Sequence, residues 1–525
     1  MDPRSSGPER WFLTARERGN DATALDRRHP PGTAWSQGNL VQPLIHGASY
    51  FAALCRAVEQ AEPGDVIMFA DWRGDADERL TKSPDSAVGR VLSDAAKRGV
   101  RVHGLVWRSH WDDLGFSAEE NRHLDEEVNE AGGCCLLDMR VRTGGSHHQK
   151  FVVVRHPGRP ELDVAFVGGI DLCHSRRDDA SHHGDPQRQP MAKVYGDRPP
   201  WHDVQVAIRG PAVSDVETVF RERWEDLQPL SRNPARLIAD RSRGADRSPP
   251  PLPEFPPPPP AGPHAVQLLR TYGRRAGGYP FAPNGERSVA RGLIKALSRA
   301  RGLIYLEDQY LWSPDVGDKI AAALRAQPDL HLIAVLPHHP DQDGALSLTP
   351  NLIGREAALS AIRAAAPGRV AAYGVENHAG TPVYVHAKVC VIDDAWASVG
   401  SDNFNRRSWT HDSELSVAVW DTTQVADGGR HYARDLRLAL AREHLDDDHE
   451  DATEAAAVFA AFARSAARLQ AWHDGGRAGP RPPGRLRPLH EAPLDRRSRL
   501  WAEPAYRVIY DPDARPWSWR RRGRY

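Results

Sequence analysis

The chain contains 525 residues with 69 Lys and Arg and 70 Asp and Glu side chains, which gives a formal net charge of −1 at pH 7. This balance argues against a generally basic nucleic-acid binder, although it is compatible with local basic patches. A hydrophobic fraction of 40% and a charged fraction of 26% are ordinary for a soluble globular protein. The length allows two or more domains with large cores.

The five cysteines lack both disulfide-scaffold spacing and a CxxC pair, which favours reduced thiols in a reducing compartment. Residues 1–20 are polar and charged and lack the apolar core of a secretory signal. No apolar run approaches the roughly 20 residues that a membrane-spanning helix needs. We therefore expect a monomeric cytoplasmic protein, and any contact with the inner face of the membrane is expected to be peripheral.

Apolar strands alternate with helix-like stretches in the same order along both halves of the chain. In the first half, strands are predicted at residues 65–72, 100–107, 151–154, 166–171 and 203–208. In the second half, the matching strands are predicted at residues 302–310, 330–336, 389–392, 397–403 and 414–419. The repeated order predicts two α/β halves with largely buried sheets.

A proline-rich segment, residues 248–263, separates the halves and is typical of a stiff, extended linker. Its use as a proline-rich ligand for a partner is the alternative interpretation. The predicted organisation is an N-terminal extension (1–34), a first lobe (35–243), a Pro-rich linker (244–263), a second lobe (264–445) and a helical, basic C-terminal extension (446–525).

Near the C-terminus, residues 431–443 and 453–472 predict two amphipathic helices. The sequence then becomes rich in Arg and Pro and ends in a basic, aromatic segment, residues 517–525. Such a segment can contact anionic lipid or nucleic acid. It is equally typical of a tail that packs on, or trails from, the body of a protein.

A short pattern occurs twice, as His148-x-Lys150 and His386-x-Lys388, and each copy leads into an apolar run. The chain has only seven lysines, so two of them in this position are informative. Histidine can attack phosphorus and an adjacent lysine can hold phosphate oxygens, which suits the cleavage of phosphodiesters. One copy would be interpreted as a surface pair, whereas two copies in matching halves predict one site assembled from both.

The second copy is followed at short spacing by Asp393, Ser401 and Asn403. Residues two apart on a strand project from one face, so His386 and Lys388 are expected to share a cleft. The Ser401 hydroxyl and the Asn403 amide can donate hydrogen bonds to phosphate oxygens. Asp393 would lie on the opposite face of a regular strand and is interpreted as a structural anchor.

The first copy departs from the second at three positions, one of which is Gly169 in place of Ser401. Arg155 occupies the position of Asp393, and Asp171 occupies the position of Asn403. If the acid is an anchor, its loss need not abolish catalysis, and Asp163 is a candidate substitute. If the acid orients the histidine, this half is impaired.

These motifs resemble those of the phospholipase D superfamily, whose mark is a pair of HxKxxxxD motifs. The resemblance covers roughly residues 35–445 and includes residues 146–150, 168–172, 200–204, 304–310 and 412–414. These segments are more similar to bacterial phosphatidylcholine-type phospholipases without PX, PH or C2 modules than to the short nuclease members. The resemblance implies an α/β fold of two similar α-β-α sandwich lobes, related by a pseudo-twofold axis, with the active site at their interface.

By the same resemblance, His148 is assigned as the nucleophile that forms a phosphohistidine and His386 as the general acid. Asp203 and Glu414, which begin the last predicted strand of each half, are candidates for orienting the two imidazoles. The predicted catalytic residues are His148, Lys150, His386, Lys388, Asp203 and Glu414. The predicted ligands of the substrate phosphate are Asn403, Ser401 and Asp171.

Neither a metal nor another cofactor is expected, because two lysines and a two-step displacement can replace a cation. The His182-His183 pair has no carboxylate or cysteine at ligand spacing and is interpreted as loop histidines. Trp201 and Trp409 flank the site segments and can line a choline pocket, but core packing is the favoured interpretation.

The leading expectation is a phospholipase D that hydrolyses glycerophospholipids such as phosphatidylcholine to phosphatidate and the free headgroup, with transphosphatidylation as a side activity. The alternatives are a cardiolipin-synthase-like phosphatidyltransferase, a metal-independent nuclease or phosphodiesterase, and an inactive phospholipid-binding scaffold. The expected partner is therefore phospholipid rather than nucleic acid.

Overall fold

The first lobe is built on a mixed β-sheet. A computed structural model describes residues 7–110, 118–231, 233, 238, 249–423, 430–446, 453–489 and 496–525. The strands of the first lobe are β1 (Ser36–Ile45), β2 (Val66–Asp71), β3 (Arg101–Trp107), β4 (Cys134–Asp138), β5 (Phe151–Arg155), β6 (Val164–Gly168), β7 (Trp201–His202) and β8 (Val204–Arg209). The sheet order is β4-β3-β2-β5-β6-β8-β1, in which β2, β3 and β4 are parallel and the other pairs are antiparallel.

The second lobe repeats this arrangement. Its strands are β9 (His264–Tyr272), β10 (Glu286–Arg287), β11 (Leu303–Glu307), β12 (His331–Val335), β13 (Val370–Glu376), β14 (Pro382–Val385), β15 (Val389–Ile392), β16 (Trp396–Gly400), β17 (Glu414–Asp421) and β18 (Leu486–Pro488). The order β13-β12-β11-β15-β16-β17-β9 has the same parallel and antiparallel pairs as the first sheet. The predicted α/β fold of two similar lobes is therefore confirmed.

Helices cover both faces of each sheet. They are α1 (Ala15–Arg18), α2 (Gly47–Glu59), α3 (Val88–Lys97), α4 (Ala118–Glu130), α5 (Ala212–Trp224), α6 (Ser288–Leu297), α7 (Pro314–Ala326), α8 (Ala345–Ala365), α9 (Arg406–Thr410), α10 (His431–Leu445), α11 (Ala455–Asp474), α12 (Arg496–Ala505) and α13 (Trp517–Arg521). Helices α10 and α11 correspond to the two amphipathic helices predicted from the sequence. Within the described residues, no helix combines the length and the apolar character needed to cross a membrane.

Alternate residues of the central strands face two different cores, because side chains alternate across a strand. In β2, Ile67 and Phe69 pack against α2, α3 and α4. Val66 and Met68 face a central core that also contains Tyr305 of β11 and residues of α5, α10 and α11. One apolar core is therefore shared by the inner faces of both sheets.

Backbone pairing also joins the two lobes. Strand β1 pairs with β8 of its own lobe and with β9 of the other. Strand β7 of the first lobe runs parallel to β14 of the second, and His147 forms a bridge with Ser413. These contacts hold the lobes in a fixed relation and lie beside both His-x-Lys segments.

The regions outside the two lobes pack on them. Trp11 and Phe12 lie in the outer core of the second lobe, and Tyr525 packs on Trp409 with ring centroids 5.5 Å apart. The described part of the proline-rich segment follows α5, where the Trp224 indole donates a hydrogen bond of 2.8 Å to the Pro250 carbonyl. Residues 244–248 of the predicted linker lie outside the described residues.

Candidate active site

Each His-x-Lys segment is held by the backbone of the opposite lobe. The amide of His148 donates a 2.9 Å hydrogen bond to the carbonyl of Ser413, and the amide of His386 donates a 2.7 Å bond to the carbonyl of His202. The sequence-based placement of the histidines on strands was wrong, because β5 begins after Lys150 and β15 begins after Lys388. Both imidazoles therefore lie in the segments that precede β5 and β15, where each segment contacts the opposite lobe.

Both imidazoles line one cleft of about 680 Å³. The His148 side chain is 16% exposed and that of His386 is 7% exposed. Each ring packs beside an indole, with centroid distances of 6.0 Å from His148 to Trp72 and 4.9 Å from His386 to Trp201. A single substrate phosphate in this cleft can meet groups from both lobes.

A carboxylate from the opposite lobe orients each imidazole. Nδ1 of His148 lies 3.0 Å from Oε2 of Glu414, and Nδ1 of His386 lies 2.6 Å from Oδ2 of Asp203. Because a carboxylate accepts the Nδ1–H, the Nε2 atom of each ring keeps its lone pair for chemistry. Ser401 donates a 2.6 Å hydrogen bond to Oε2 of Glu414, so its hydroxyl holds this carboxylate rather than the substrate phosphate.

The two lysines lie next to the histidines. The ammonium group of each lysine donates a hydrogen bond to the backbone carbonyl of the histidine in the same motif. The ammonium of Lys150 is 3.3 Å from Oδ1 of Asp171, and that of Lys388 is 3.2 Å from Oε1 of Gln309. Burial lowers the pKa of Lys388 to about 8. The site thus contains two buried ammonium groups that are available to balance the charge of a phosphodiester.

Asp171 and Asn403 occupy equivalent positions but have different partners. Burial alone would raise the pKa of Asp171, but Lys150 and Arg176 hold it well below its ordinary value. An ionised carboxylate cannot donate to phosphate, so these contacts favour a role in holding Lys150. Nδ2 of Asn403 lies 3.4 Å from Oε1 of Gln309, which is compatible with an amide directed at a bound phosphate.

In the free site, the surroundings of the buried His386–Asp203 pair favour the uncharged form of both side chains. Burial, followed by the charges of Lys388 and Arg176, lowers the pKa of His386 well below its ordinary value. Burial also raises the pKa of Asp203. The lowered pKa of His386 and the raised pKa of Asp203 both disfavour charge on the pair. A bound phosphate anion would raise the pKa of His386, because it compensates the charges of Lys388 and Arg176.

The acid of the second motif lies away from the imidazoles. Asp393 accepts hydrogen bonds of 2.7 to 2.9 Å from the amides of Arg301, Gly302 and Leu303 at the start of β11. At the equivalent place, Arg155 pairs with Asp163 at 2.9 Å. Both residues therefore act as structural anchors, and the Arg155 substitution does not alter a contact of His148.

Several residues that line the cleft had no distinct sequence signal. Gln309 joins Lys388 to Asn403 and to the Tyr384 hydroxyl, which accepts from it at 2.8 Å. The Arg176 guanidinium lies 3.9 Å from the centroid of Trp201 and faces the same cleft. Gln309 follows the end of β11 by two residues and lies within the segment 304–310 that carries the family resemblance, but its position gave no indication of this role.

The two tryptophans considered from the sequence have different surroundings. Trp201 lines the cleft and stacks beside Tyr384, with ring centroids 5.0 Å apart. Trp409 is fully buried and packs against Phe404 and Tyr525, so it belongs to the core.

Comparison with known families agrees with this two-lobed α/β architecture and its duplicated His-x-Lys site. The family model described as "Phospholipase D" matches residues 57–250, and the one described as "Cardiolipin synthase, PLD-like domain" matches residues 293–436. Together the two matches cover well over half of the chain, one in each lobe. The chain belongs to the phospholipase D superfamily.

Plant enzymes are among its curated relatives. Phospholipase D alpha 1 of Cynara cardunculus is 28% identical over 490 residues, which cover 70% of this chain and 60% of the relative. Phospholipase D alpha 2 of Oryza sativa subsp. japonica is 27% identical, with 70% and 59% covered. The chain thus spans about 60% of the length of these relatives.

Solved structures with partial similarity include phosphatidylserine synthase of Haemophilus influenzae Rd KW20. It is 13% identical with a TM-score of 0.47, covering 73% of this chain and 82% of that chain. The phospholipase D family member Nuc of Salmonella typhimurium is 18% identical with a TM-score of 0.23, covering 33% and 90%.

The orienting carboxylates provide the first test of the site. Glu414→Gln and Asp203→Asn are each expected to lower kcat on a phospholipid by about 10²- to 10⁴-fold, because Nδ1 loses a charged acceptor. Asp393→Asn is the matched control, since it removes one carboxylate oxygen from the start of β11. It should lower the melting temperature and leave kcat per folded molecule nearly unchanged. Equal loss of kcat in all three variants would contradict the assignment.

A second test uses the depressed pKa of Lys388. The ammonium is charged below its folded pKa and neutral above it, so kcat/KM should fall as the pH rises through about 8. Lys388→Arg keeps its charge in this range, because guanidinium remains protonated. The alkaline limb of the pH profile should therefore shift upward in this variant, whatever its absolute rate. An unshifted limb would show that another group causes the fall.

Proposed function

We propose that this protein is a phospholipase D that hydrolyses glycerophospholipids to phosphatidate and a free headgroup. The observation that carries the proposal is the shared cleft, in which two imidazoles from different lobes each have a carboxylate on Nδ1 and a buried lysine beside them. Such a pair can serve as nucleophile and as acid–base catalyst on one phosphate. Similarity to the plant phospholipase D relatives supports this function.

The proposed reaction has two displacements at phosphorus. With the phosphate anion bound, His386 takes up a proton from solvent on Nε2 and becomes an imidazolium whose Nδ1–H remains on Asp203. Nε2 of the neutral His148 attacks the phosphorus while His386 donates this Nε2 proton to the departing headgroup oxygen, so that a phosphohistidine forms and the headgroup leaves as an alcohol. His386 then removes a proton from water, and the resulting attack on phosphorus releases phosphatidate and restores His148. A primary alcohol in place of water gives transphosphatidylation. Lys150 and Lys388 balance the charge of the phosphate oxygens in both steps.

The lining of the cleft offers groups that suit a cationic headgroup such as choline. Carboxylates of Asp341 and Asp343, and of Glu120 in its pair with Arg73, line the cleft together with the aromatic rings of Trp72 and Tyr310. Aromatic faces and carboxylates both attract quaternary ammonium groups. Phosphatidylcholine is therefore the proposed substrate.

Arg155 does not support the inactive-scaffold alternative, because its contacts are with Asp163, Glu217 and Ser214 rather than with the cleft. The phosphatidyltransferase alternative is retained because the second lobe matches a family model that is described as cardiolipin synthase. The phospholipase and the phosphatidyltransferase differ in the acceptor that attacks the phosphohistidine, which is water in the first and an alcohol in the second.

The direct test is incubation of the purified protein with headgroup-labelled phosphatidylcholine, with and without ethanol. We expect release of choline, and phosphatidylethanol when ethanol is present. His148→Ala and His386→Ala should each reduce turnover by at least about 10³-fold. His378→Ala, at an exposed histidine, is the matched control and should leave turnover unchanged.

Trapping of the phosphoenzyme assigns the two histidines. After an alkaline quench with phosphorus-labelled lipid, the wild type and His386→Ala should carry base-stable label and His148→Ala should not. The reverse pattern would exchange the two roles. Turnover of phosphatidylglycerol alone would support the phosphatidyltransferase, cleavage of DNA alone the nuclease, and lipid binding without turnover the scaffold.

We also infer that the C-terminal region makes peripheral contact with the membrane. Leu500, Val508 and Trp517 are 81%, 73% and 69% exposed, and arginines such as Arg507 and Arg521 are exposed among them. An apolar and basic surface of this kind favours an anionic bilayer. The region adjoins the cleft, because Tyr510 packs on Trp312 and Trp312 stacks on Tyr310, with ring centroids 6.4 and 4.0 Å apart.

The membrane contact is tested with Val508→Ser combined with Trp517→Ala. Loss of two apolar anchors should weaken binding to vesicles of phosphatidylcholine and phosphatidylglycerol by about tenfold. Turnover of a monomeric short-chain phosphatidylcholine should be unchanged. Leu227→Ser, at a side chain that is 92% exposed in the first lobe, is the control and should bind as the wild type does. Unchanged vesicle binding of the double variant would exclude the C-terminal contact.

A further inference from the structure

Behind His386, three buried imidazoles surround one carboxylate. Nε2 of His46 lies 2.7 Å from Oε2 of Glu443, Nε2 of His182 lies 2.9 Å from Oε1, and Nδ1 of His202 lies 3.3 Å from Oε1. One ligand atom from each of the four residues lies within 4.8 Å of the other three. The three histidines are at most 4% exposed and the Glu443 side chain is 9% exposed, so the cluster is largely shielded from solvent.

The four residues come from distant parts of the chain. His46 immediately precedes α2, His182 lies in a loop and His202 ends β7, whereas Glu443 belongs to α10 of the second lobe. His182 lies in a loop as predicted, but the fold gives it a carboxylate partner 261 residues away, which the spacing of the sequence could not show. The neighbouring His183 is exposed and lies outside the cluster.

The outward nitrogens of two rings already have acceptors. Nε2 of His202 lies 2.7 Å from Oε2 of Glu307, and Nδ1 of His182 lies 3.2 Å from the Trp201 carbonyl. If each neutral ring donates its one N–H outward, the inward nitrogens present lone pairs to a common point beside Glu443. Nδ1 of His202 is buried there without a hydrogen-bond partner among the described residues. Histidines that bind a metal have this arrangement of an outer acceptor and an inner lone pair.

The backbone gives an independent indication. His46 and His182 have φ angles of 68° and 52°, in the left-handed region that L residues rarely adopt. Strained conformations of this kind persist where the surroundings enforce them and cluster at functional sites. In this protein the two residues with these angles are the ones whose Nε2 atoms contact Glu443 at 2.7 and 2.9 Å.

We propose that His46, His182, His202 and Glu443 bind one divalent first-row cation, with zinc as the best match. Three imidazoles and a carboxylate are typical zinc ligands, and a closed set of four is typical of a structural site. Ligand atoms around tetrahedral zinc are about 3.3 Å apart, within the range that the cluster already spans. The expected absence of metal then applies to the chemistry in the cleft and not to the whole protein.

The cation would act as a positioning element. The amide of His46 donates a 2.9 Å hydrogen bond to the carbonyl of Asp203, and the carbonyl of His202 accepts from the amide of His386 at 2.7 Å. A metal between His46, His202 and α10 would therefore fix both members of the His386–Asp203 pair and connect the two lobes. It would not touch the substrate.

The wild-type protein provides the main test, without an affinity tag that contains histidine. After growth with zinc and desalting against a weak chelator, metal analysis should find about one zinc per chain. The apoprotein, prepared with a strong chelator, should recover one equivalent of Co²⁺ and show the visible absorption bands of tetrahedral cobalt. Metal below 0.1 equivalent with no cobalt spectrum would overturn the proposal and leave a hydrogen-bonded network of protonated imidazoles.

Paired variants locate the site. His182→Ala should lower the zinc content at least fivefold, and Glu443→Gln should weaken Co²⁺ binding, whereas His183→Ala should retain one equivalent. Because a variant of a buried residue can fail to fold, the melting temperature of wild-type apoprotein is measured as well, and it should rise when zinc is added. An unchanged melting temperature would count against the site. These measurements involve no lipid turnover, so their outcome is separate from that of the phospholipase assay.

Discussion

The exchange of polar contacts between the lobes is the constraint on which this structure depends. His148 of the first lobe is oriented by Glu414 of the second, and His386 of the second is oriented by Asp203 of the first. The backbone repeats the exchange, because each histidine amide donates to a carbonyl of the opposite lobe. Neither lobe alone can therefore define the position of its own imidazole. The duplication produces one site rather than two.

Burial makes this arrangement electrostatically demanding. Lys150, Lys388 and Asp171 are all nearly inaccessible, and buried charges are costly unless they are paired. Lys150 has Asp171 as its partner, whereas Lys388 has only neutral oxygens within hydrogen-bond distance among its described contacts. A bound phosphodiester would supply the missing negative charge. Burial of the Lys388 ammonium without a paired anion lowers its pKa in the free site.

The sequence predicted the parts of this protein that follow from local pattern. The ten strands of the repeat were predicted because apolar, β-branched runs mark strands that are covered on both faces. Strands β1 and β9 were not predicted, although β1 joins the two sheets, because their apolar residues are interrupted by polar ones. Asp203 and Glu414 were recognised from their place at the start of a strand. The sequence did not predict that each of them orients the histidine of the opposite lobe.

Other features of the site depend on contacts that spacing does not encode. Ser401 was expected to bind phosphate because it follows the motif, yet its hydroxyl is directed at Glu414. Gln309, Arg176 and the cluster around Glu443 arise from segments that approach one another only in the folded chain. The buried imidazoles were individually unremarkable in the sequence, since a histidine acquires ligand character from its neighbours in space.

The apolar core that both sheets share limits how substrate and product can reach and leave the active site. Tyr305 and Met68 belong to the same packed core, so the halves cannot swing apart to admit a lipid without exposing that core to water. Reactants therefore enter and leave through the shared cleft that both imidazoles line. In the proposed two-step course, the alcohol product has to vacate this passage before an acceptor can reach the phosphorylated ring. Because both imidazoles face this one shared cleft, the alcohol product leaves before the acceptor arrives.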